Sequence, residues 1–303
     1  MKDELPVPAH PRGDGQQLEV CLGAGYNDQL WLDLATGTTL SVNGKEAWDL
    51  AFESAPNGWH VMLNGSRLMT AWNIGPVDIA QPADTNGMGV GRRIDAPSGD
   101  PDSTAIGDRR NSADVLLLDL GYGSAGQWFG VRKVRFQEIS STRFIFQEAR
   151  LDGSELRTVT VVKDPSCAFT SYSFANGVVS IEPVQGTWDI VFTQFTHQFY
   201  EPFLPYIVSG VLSAPGARVS QLDGVDFGSV VLADTVGHPF SAARDAIGYD
   251  WKVYSFETSS YTVRPDRVYI VQDAQGYFLK LRFLDFYGQN GQVGCPRFET
   301  TPL

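Results

Sequence analysis

The chain has 303 residues, of which 43% are hydrophobic and 19% charged, so it is long and apolar enough to bury a sizeable core. The formal net charge is −12, and no run of Lys and Arg forms the clustered positive surface that phosphate backbones require. Nucleic acid is therefore excluded as a partner. No stretch is long and apolar enough to predict a transmembrane helix.

The first 15 residues predict a flexible N-terminal tether. Pro and Gly dominate this segment, at Pro6, Pro8, Pro11, Gly13 and Gly15. Proline lacks the backbone donor and glycine lacks the side chain that a packed element needs.

Short, alternating segments rich in β-branched and aromatic residues follow the tether. In chain order they include "LEVCL" (18–22), "VLLL" (115–118) and "KVRFQEI" (133–139). The turn sequence "LDGSE" (151–155) separates two further segments of this kind and predicts a β-hairpin. Only residues 241–251 offer a helical pattern, of at most two turns. The sequence therefore predicts an all-β protein built from sandwich-type units.

An internal duplication runs through the chain. Residues 34–52 align without a gap with residues 174–192, at an offset of 140, and share one Ala, one Gly, the Trp-Asp pair and one Phe. Three further segment pairs, one before this alignment and two after it, match in the same order along the chain. The offsets of the two later pairs are larger, as loop insertions would make them. We therefore predict a first β unit over 16–155 and a second over 156–303.

A Trp-Asp motif lies in both copies, at Trp48-Asp49 and Trp188-Asp189. Period-two alternation predicts that each Trp shares a buried strand face with the Leu or Ile and the Phe that follow it. The two carboxylates are expected to point outward or to bond a nearby backbone amide, and the four residues are interpreted as structural.

The three cysteines leave the redox state open. Cys21, Cys167 and Cys295 have no spacing typical of zinc ligands. One disulfide with a free thiol and three buried thiols are equally compatible with the sequence.

Two candidate sites lie in the first half. His60 and Met62 are two residues apart and would share a strand face, which permits a His/Met ligand site, although core packing is the commoner role of Met. Asp100 and Asp102 lie in an acidic Gly/Pro loop, where oxygen ligands at two-residue spacing suit Ca²⁺. The alternative for this loop is a solvated acidic segment pinned by Arg109 or Arg110.

The densest aromatic stretch is "TQFTHQFYEPFLPY" (193–206). Phe195, His197 and Phe199 would lie on one face of a strand, followed by Tyr200. One interpretation is an edge strand whose aromatic residues seal the interface between the halves. The other is a wall for a flat apolar ligand, with His197 or Tyr200 as axial ligand.

The motifs together resemble the HmuY family. The resemblance rests on "WDIVF" (188–192), on the long first copy "WDLAFESAPNGWHVMLNG" (48–65) and on the C-terminal stretch 261–299 with its "KLRFLDF" and "RFE" elements. It covers nearly the whole chain as two family units in tandem.

This resemblance implies a non-enzymatic, lipid-anchored protein at the outer-membrane surface that binds haem or another flat apolar ligand for uptake. A TonB-dependent receptor or another outer-membrane complex is the implied partner, and membrane contact is only through an N-terminal lipid. Met1 would stand at the position of the lipid-bearing Cys, before the acidic Lys2-Asp3-Glu4. The alternative is an accessory subunit of a transporter or secretion complex that binds no haem.

One departure from the family concerns haem itself. The family's founding protein is expected to use two His ligands, one shortly after the Trp that corresponds to Trp251. Here Phe256 and Glu257 stand near that place, and we expect haem binding to be weak or absent. No nucleophile, metal-protease or phosphate-loop motif is present in context, which predicts that the chain is not an enzyme.

Overall fold

A computed structural model describes residues 14–303, and these residues form twenty β-strands, four short 3₁₀ turns and no α-helix. The all-β prediction is confirmed. The tether of residues 1–15 and the lipid-bearing position at Met1 lie almost wholly outside the described residues. The strands are β1 (Gln16–Glu19), β2 (Asp28–Asp33), β3 (Thr38–Gly44), β4 (Leu50–Glu53), β5 (Val61–Leu63), β6 (Thr70–Asn73), β7 (Leu116–Asp119), β8 (Val131–Ile139), β9 (Arg143–Arg150), β10 (Arg157–Val162), β11 (Phe169–Ser173), β12 (Gly177–Val179), β13 (Ile190–Tyr200), β14 (Phe203–Ser213), β15 (Arg218–Asp223), β16 (Lys252–Ser255), β17 (Ser260–Val263), β18 (Arg267–Gln272), β19 (Phe278–Asp285) and β20 (Arg297–Pro302). The 3₁₀ turns are Gly65–Arg67, Pro101–Ser103, Phe227–Ser229 and Leu232–Thr235.

The strands form two β-sandwiches of the same construction. In the first, a five-stranded sheet ordered β1-β20-β19-β18-β15 shares one core with a four-stranded sheet ordered β14-β13-β2-β3. In the second, the orders are β10-β9-β8-β7-β6 and β12-β11-β4-β5. All pairings are antiparallel, and alternate residues of each strand fill the core. The four-stranded sheets of the two sandwiches face each other, with Trp31, Trp188 and Ile181 packed between them.

The two sandwiches match strand by strand, but the strands come from both halves of the chain. β2 of the first half pairs with β13 at Ile190–Phe192, whereas β4 pairs with β11 of the second half. The segments 34–52 and 174–192 therefore occupy equivalent positions, as a duplication requires. The pairing also crosses the boundary predicted at residues 155/156. Strands β1–β3 of the first half complete sheets built mainly from the second half, and strands β10–β12 of the second half complete sheets built mainly from the first.

The Trp-Asp motif anchors each of these exchanged strands. Asp49 accepts a hydrogen bond from the backbone N–H of Phe174 at 2.7 Å, and Asp189 accepts one from Leu34 at 2.8 Å. Both acceptors and both donors are related by the offset of 140. Of the two alternatives for these carboxylates, the bond to a backbone amide is the one present.

The predicted position of the two Trp side chains is wrong. Both residues precede their strands and turn away from the sandwich cores, so period two does not apply to them. Trp188 packs edge-on against Trp31, with ring centroids 4.6 Å apart. Trp48 is half-buried and donates Nε1–H to Oε1 of Gln29 at 2.9 Å. Both therefore serve the interface between the sandwiches.

Two local patterns have different outcomes. The hairpin around "LDGSE" is confirmed, since β9 and β10 pair from Glu148↔Arg157 to Arg143↔Val162. The weak helical pattern of residues 241–251 forms no helix, and this segment carries only isolated bridges and turns. Its backbone is used instead by the neighbouring strand β14, where Val211 exchanges both hydrogen bonds with Gly248.

A disulfide joins Cys21 to Cys295, and Cys167 is a half-buried free thiol. The bond closes a loop with a sequence separation of 274. Replacing both bonded residues by Ser is expected to lower the free energy of unfolding by about 2–4 kcal/mol, because the unfolded chain loses a long-range constraint. Urea unfolding measures this loss, with Cys167→Ser as the control that leaves the cross-link intact. An unchanged unfolding midpoint in the double variant would contradict the prediction.

Candidate functional site

An aromatic cleft of about 830 Å³ lies beside the projecting end of the β13–β14 hairpin. β2 pairs only with the first three residues of β13, so the remainder of β13 pairs with β14 alone and extends beyond the sheet. The β16–β17 hairpin forms the opposite side. The aromatic cleft is lined by Tyr26, Gln194, Phe199, Glu201, Pro202, Leu204, Tyr206, Ile207, Val208, Ser209, Tyr249, Lys252, Tyr254, Phe256 and Tyr261.

Exposed aromatic side chains form the rim of the cleft. Phe256 is 90% exposed and Tyr206 is also exposed, although both are large apolar groups. The ring of Tyr254 lies 5.1 Å from that of Phe256 and 4.9 Å from that of Tyr261, which forms a continuous aromatic surface along β16 and β17. Such a concave surface of phenyl and phenol rings suits a flat apolar ligand.

Lys252 lies at the base of the aromatic cleft and is almost fully buried. Its Nζ donates to the carbonyl oxygens of Ser209 at 2.5 Å and Tyr249 at 3.2 Å. It also lies 4.3 Å from the ring centroid of Trp251. Burial lowers the pKa of the Lys252 ammonium from 10.5 to about 7, and the nearby Asp250 opposes this shift.

Replacing Lys252 by Met is expected to change how stability depends on pH. Because the folded-state pKa lies below that of an unfolded lysine, the unfolded chain binds more protons between about pH 7 and pH 10.5. The contribution of Lys252 to the free energy of unfolding is therefore lowest below pH 7 and increases through this window. Urea titrations of the wild type and Lys252→Met should show a stability difference that grows in favour of the wild type from pH 7 to pH 10. A constant difference would contradict the shift.

The residues predicted as one ligand wall separate into three environments. Phe199 lines the aromatic cleft, and its ring lies 4.9 Å from that of His197. His197 and Tyr200 line a neighbouring surface groove of about 380 Å³, where burial raises the pKa of Asp245. Phe195 is buried at the interface between the sandwiches. Residues on one strand face are about 6.6 Å apart, so successive same-face residues of β13 border different surfaces as the strand runs from the interface to its projecting end.

His60 and Met62 do not converge on one site. The Nδ1 atom of His60 contacts the carboxylate of Glu53, and its ring stacks on Trp59 with centroids 3.9 Å apart. Met62 lies in β5 and lines the interface between the sandwiches. His60 precedes that strand, so the shared face expected from their spacing is absent.

Asp100 and Asp102 belong to a short 3₁₀ turn. Asp100 caps the turn by accepting hydrogen bonds from the Asp102 backbone N–H at 3.1 Å and the Ser103 hydroxyl at 3.0 Å. Within residues 14–303 there is no group of three or more His, Cys, Asp or Glu side chains arranged to hold a metal ion. The loop is also pinned at its end, where Arg110 pairs with Asp108 at 2.7 Å.

A comparison with protein-family models finds one that covers most of this fold. The HmuY protein model matches residues 25–299, which include the aromatic cleft and both sandwiches except β1 and the end of β20. The chain belongs to the HmuY family. Members of the HmuY family are binding proteins. No curated protein matches the chain.

Three solved structures are similar to this HmuY-family chain at low identity. Apo PinO from Porphyromonas gingivitis is 11% identical, with a TM-score of 0.31 and coverage of 96% of this chain and 98% of that one. A Bacteroides fragilis protein assigned as a lipoprotein is 11% identical, with a TM-score of 0.25 and coverage of 56% and 88%. A Bacteroides vulgatus protein assigned as an HmuY-like haem-binding protein is 10% identical, with a TM-score of 0.23 and coverage of 56% and 91%.

The departure noted near Trp251 falls within the aromatic cleft. Phe256, which lines the cleft, lies near the place where the family resemblance implies a haem-ligating His. The lining residues, all in the described part of the chain, include no His, Met or Cys, and their oxygen donors are the Glu201 carboxylate and phenols such as Tyr249 and Tyr206. Sequence reasoning missed Lys252 and Tyr254, although they precede Phe256 at the two-residue spacing of one strand face, which could have indicated them.

Proposed function

We propose that this HmuY-family chain is a non-enzymatic, lipid-anchored protein of the outer-membrane surface that binds a flat apolar ligand in the aromatic cleft for uptake. The observation that carries the proposal is the 830 Å³ cleft between the β13–β14 and β16–β17 hairpins, with its rim of exposed aromatic rings. Exposed rings of this kind are costly in water unless a ligand or partner covers them.

The cleft supports recognition by ring stacking in place of axial coordination. Phe199, Tyr254 and Phe256 offer aromatic faces and edges, whereas the lining carries no His, Met or Cys. We therefore expect haem to bind, if it binds, no more tightly than its metal-free analogue protoporphyrin IX.

The test is a paired titration of the purified chain with protoporphyrin IX, followed by fluorescence, and with haem, followed by the Soret band. Phe256→Ala and Phe199→Ala are expected to weaken protoporphyrin binding by about tenfold each, since an aromatic contact contributes about 1–1.5 kcal/mol. Tyr122→Ala is the matched control, because Tyr122 is exposed but does not line the cleft. Haem binding that is more than tenfold tighter and lost in His197→Ala or His60→Ala would overturn stacking and assign an axial ligand.

A second candidate function is an accessory subunit that contacts a TonB-dependent receptor or another outer-membrane complex. It is favoured by the exposed side chains at the tip of the β13–β14 hairpin, where Tyr200 is 76% exposed and Phe203 is also exposed outside the cleft lining. Loss of co-purification with such a complex in a Tyr200→Ser/Phe203→Ser variant, with porphyrin binding retained, would support this function.

The lipid anchor and the surface location in this proposal rest on membership of the HmuY family. Among residues 14–303 there is no helix with the length and apolar character needed to cross a bilayer. Metabolic labelling with a fatty acid in the native host, followed by protease treatment of intact cells, would show whether the protein is lipidated and exposed.

A further inference from the structure

A second cavity, of about 110 Å³, lies between the facing four-stranded sheets of the two sandwiches. It is separate from the aromatic cleft and is bordered by Ala51 and Ser171 on one sheet and by Trp31 and Thr193 on the other. A cavity of about 150 Å³ holds one benzene molecule, so this one has room for roughly four to six non-hydrogen atoms.

Most polar groups around this interface cavity are engaged within the protein. Gln29 donates to the Thr193 hydroxyl at 2.7 Å and accepts from Trp48 and from Asn43, at 2.9 and 2.8 Å. Asp95 accepts from two backbone amides, those of Leu63 and Ala105, and burial raises its pKa to about 6. These polar groups line the cavity but have hydrogen-bond partners within the protein, so they do not require a ligand.

Arg244 is the exception. Its Nε donates to the Ser213 carbonyl oxygen at 3.2 Å, but its two terminal nitrogen atoms have no hydrogen-bond acceptor among residues 14–303. The nearest influential carboxylate, Glu182, forms no ion pair with it and accepts instead from the backbone N–H groups of Ala168 and Phe169. Burial lowers the pKa of the Arg244 guanidinium, and the negative charge of Glu182 opposes that shift.

The backbone around Arg244 holds the guanidinium at the cavity. The N–H of Arg244 donates to the Ser98 carbonyl oxygen at 2.9 Å, and its own carbonyl oxygen accepts from Ser213 at 2.7 Å. Gly99 packs against its side chain so closely that a Cβ there would lie 2.8 Å from the Arg244 Cδ atom. The loop 95–99 of one sandwich thus closes over an arginine of the other.

We propose that the interface cavity binds a small organic carboxylate, whose anionic group pairs with the terminal N–H groups of Arg244. A planar guanidinium whose terminal N–H edge is free matches a carboxylate in bidentate geometry. The short apolar remainder of the ligand lies against Ala51, Val191 and Leu212, which line the same cavity. The ligand would contact both four-stranded sheets and would stabilise their packing.

Calorimetric titration of the whole chain with sodium propionate, and with the neutral isostere propionamide, tests this site. We expect saturable propionate binding that is at least about tenfold tighter than propionamide binding. Arg244→Gln should weaken propionate binding by at least about tenfold, whereas Arg218→Gln, at an exposed arginine outside the cavity lining, should leave it unchanged.

A variant that keeps the arginine covers the case in which Arg244→Gln does not fold. Ala51→Leu adds volume to the cavity wall and should abolish propionate binding while circular dichroism shows an intact β fold. Equal affinity for acid and amide, unchanged binding in either variant, or no saturation up to about 100 mM would each overturn the proposal. Protoporphyrin binding in the aromatic cleft is independent of all these outcomes.

Discussion

Replacing Asp49 by Ala is expected to lower the free energy of unfolding by about 3–5 kcal/mol. Asp49 is buried, accepts the backbone N–H of Phe174 and pairs with the buried guanidinium of Arg67. The variant leaves that guanidinium in a low-dielectric site with only the Leu120 and Trp48 carbonyl oxygens as acceptors. It also leaves an exchanged strand without its anchoring hydrogen bond, so two penalties add.

Urea unfolding of three variants separates these penalties. Asp49→Ala combined with Arg67→Met removes the stranded charge and should recover a large part of the loss. Asp108→Ala, which breaks the exposed pair with Arg110, should leave the unfolding curve nearly unchanged. An Asp49→Ala variant as stable as the wild type would show that the ion pair and the strand anchor contribute little.

Replacing Trp188 by Ala is the second change with a large expected effect, again about 3–5 kcal/mol. Trp188 is only 2% exposed and packs between the sandwiches against Trp31, Val191 and Ile181. Truncation removes one of the three Trp side chains of this interface and leaves a cavity that a rigid sheet pair cannot fill.

The matched control for Trp188→Ala is Trp128→Ala. Trp128 is 55% exposed and donates to Asp119 at the surface, so its loss should shift the melting temperature little. Thermal unfolding of both variants, followed by circular dichroism, gives the comparison. Equal melting temperatures for the two variants would contradict the burial of Trp188 at an energetically important contact.

The sequence was sufficient for features that depend on local pattern. Alternation predicted the strands, "LDGSE" predicted its hairpin, and the 140-residue offset correctly paired the positions of Asp49 and Asp189. These features depend on residues close in sequence or on identical residues in two copies. Strands β2 and β11 are equivalent copies with equivalent faces. Local pattern therefore cannot show that β4 pairs with β11 and β13 with β2, and not the reverse.

The candidate site was less accessible to sequence reasoning. The sequence places His197 and Phe199 on one strand face, but successive positions along β13 border adjoining surfaces. Lys252 and Tyr254 lie more than fifty residues further along the chain and reach the same cleft only through the tertiary fold. Arg244 has no motif at all, and its unpaired guanidinium emerges only when both sandwiches are in place.

The pairing of β2 with β13 and of β4 with β11 means that the boundaries of the structural units do not coincide with the boundaries of the sequence repeats. One sandwich is a single uninterrupted stretch, from β4 to β12, set into a chain whose two ends build the other. It is a circular permutation of its neighbour, the connectivity that fusing two copies of a strand-swapped dimer produces. The polypeptide passes between the sandwiches at residues 45–49 and again at 180–189, so the Trp-Asp motif marks both crossings. Excision of a self-contained β unit therefore requires cuts at these two crossings.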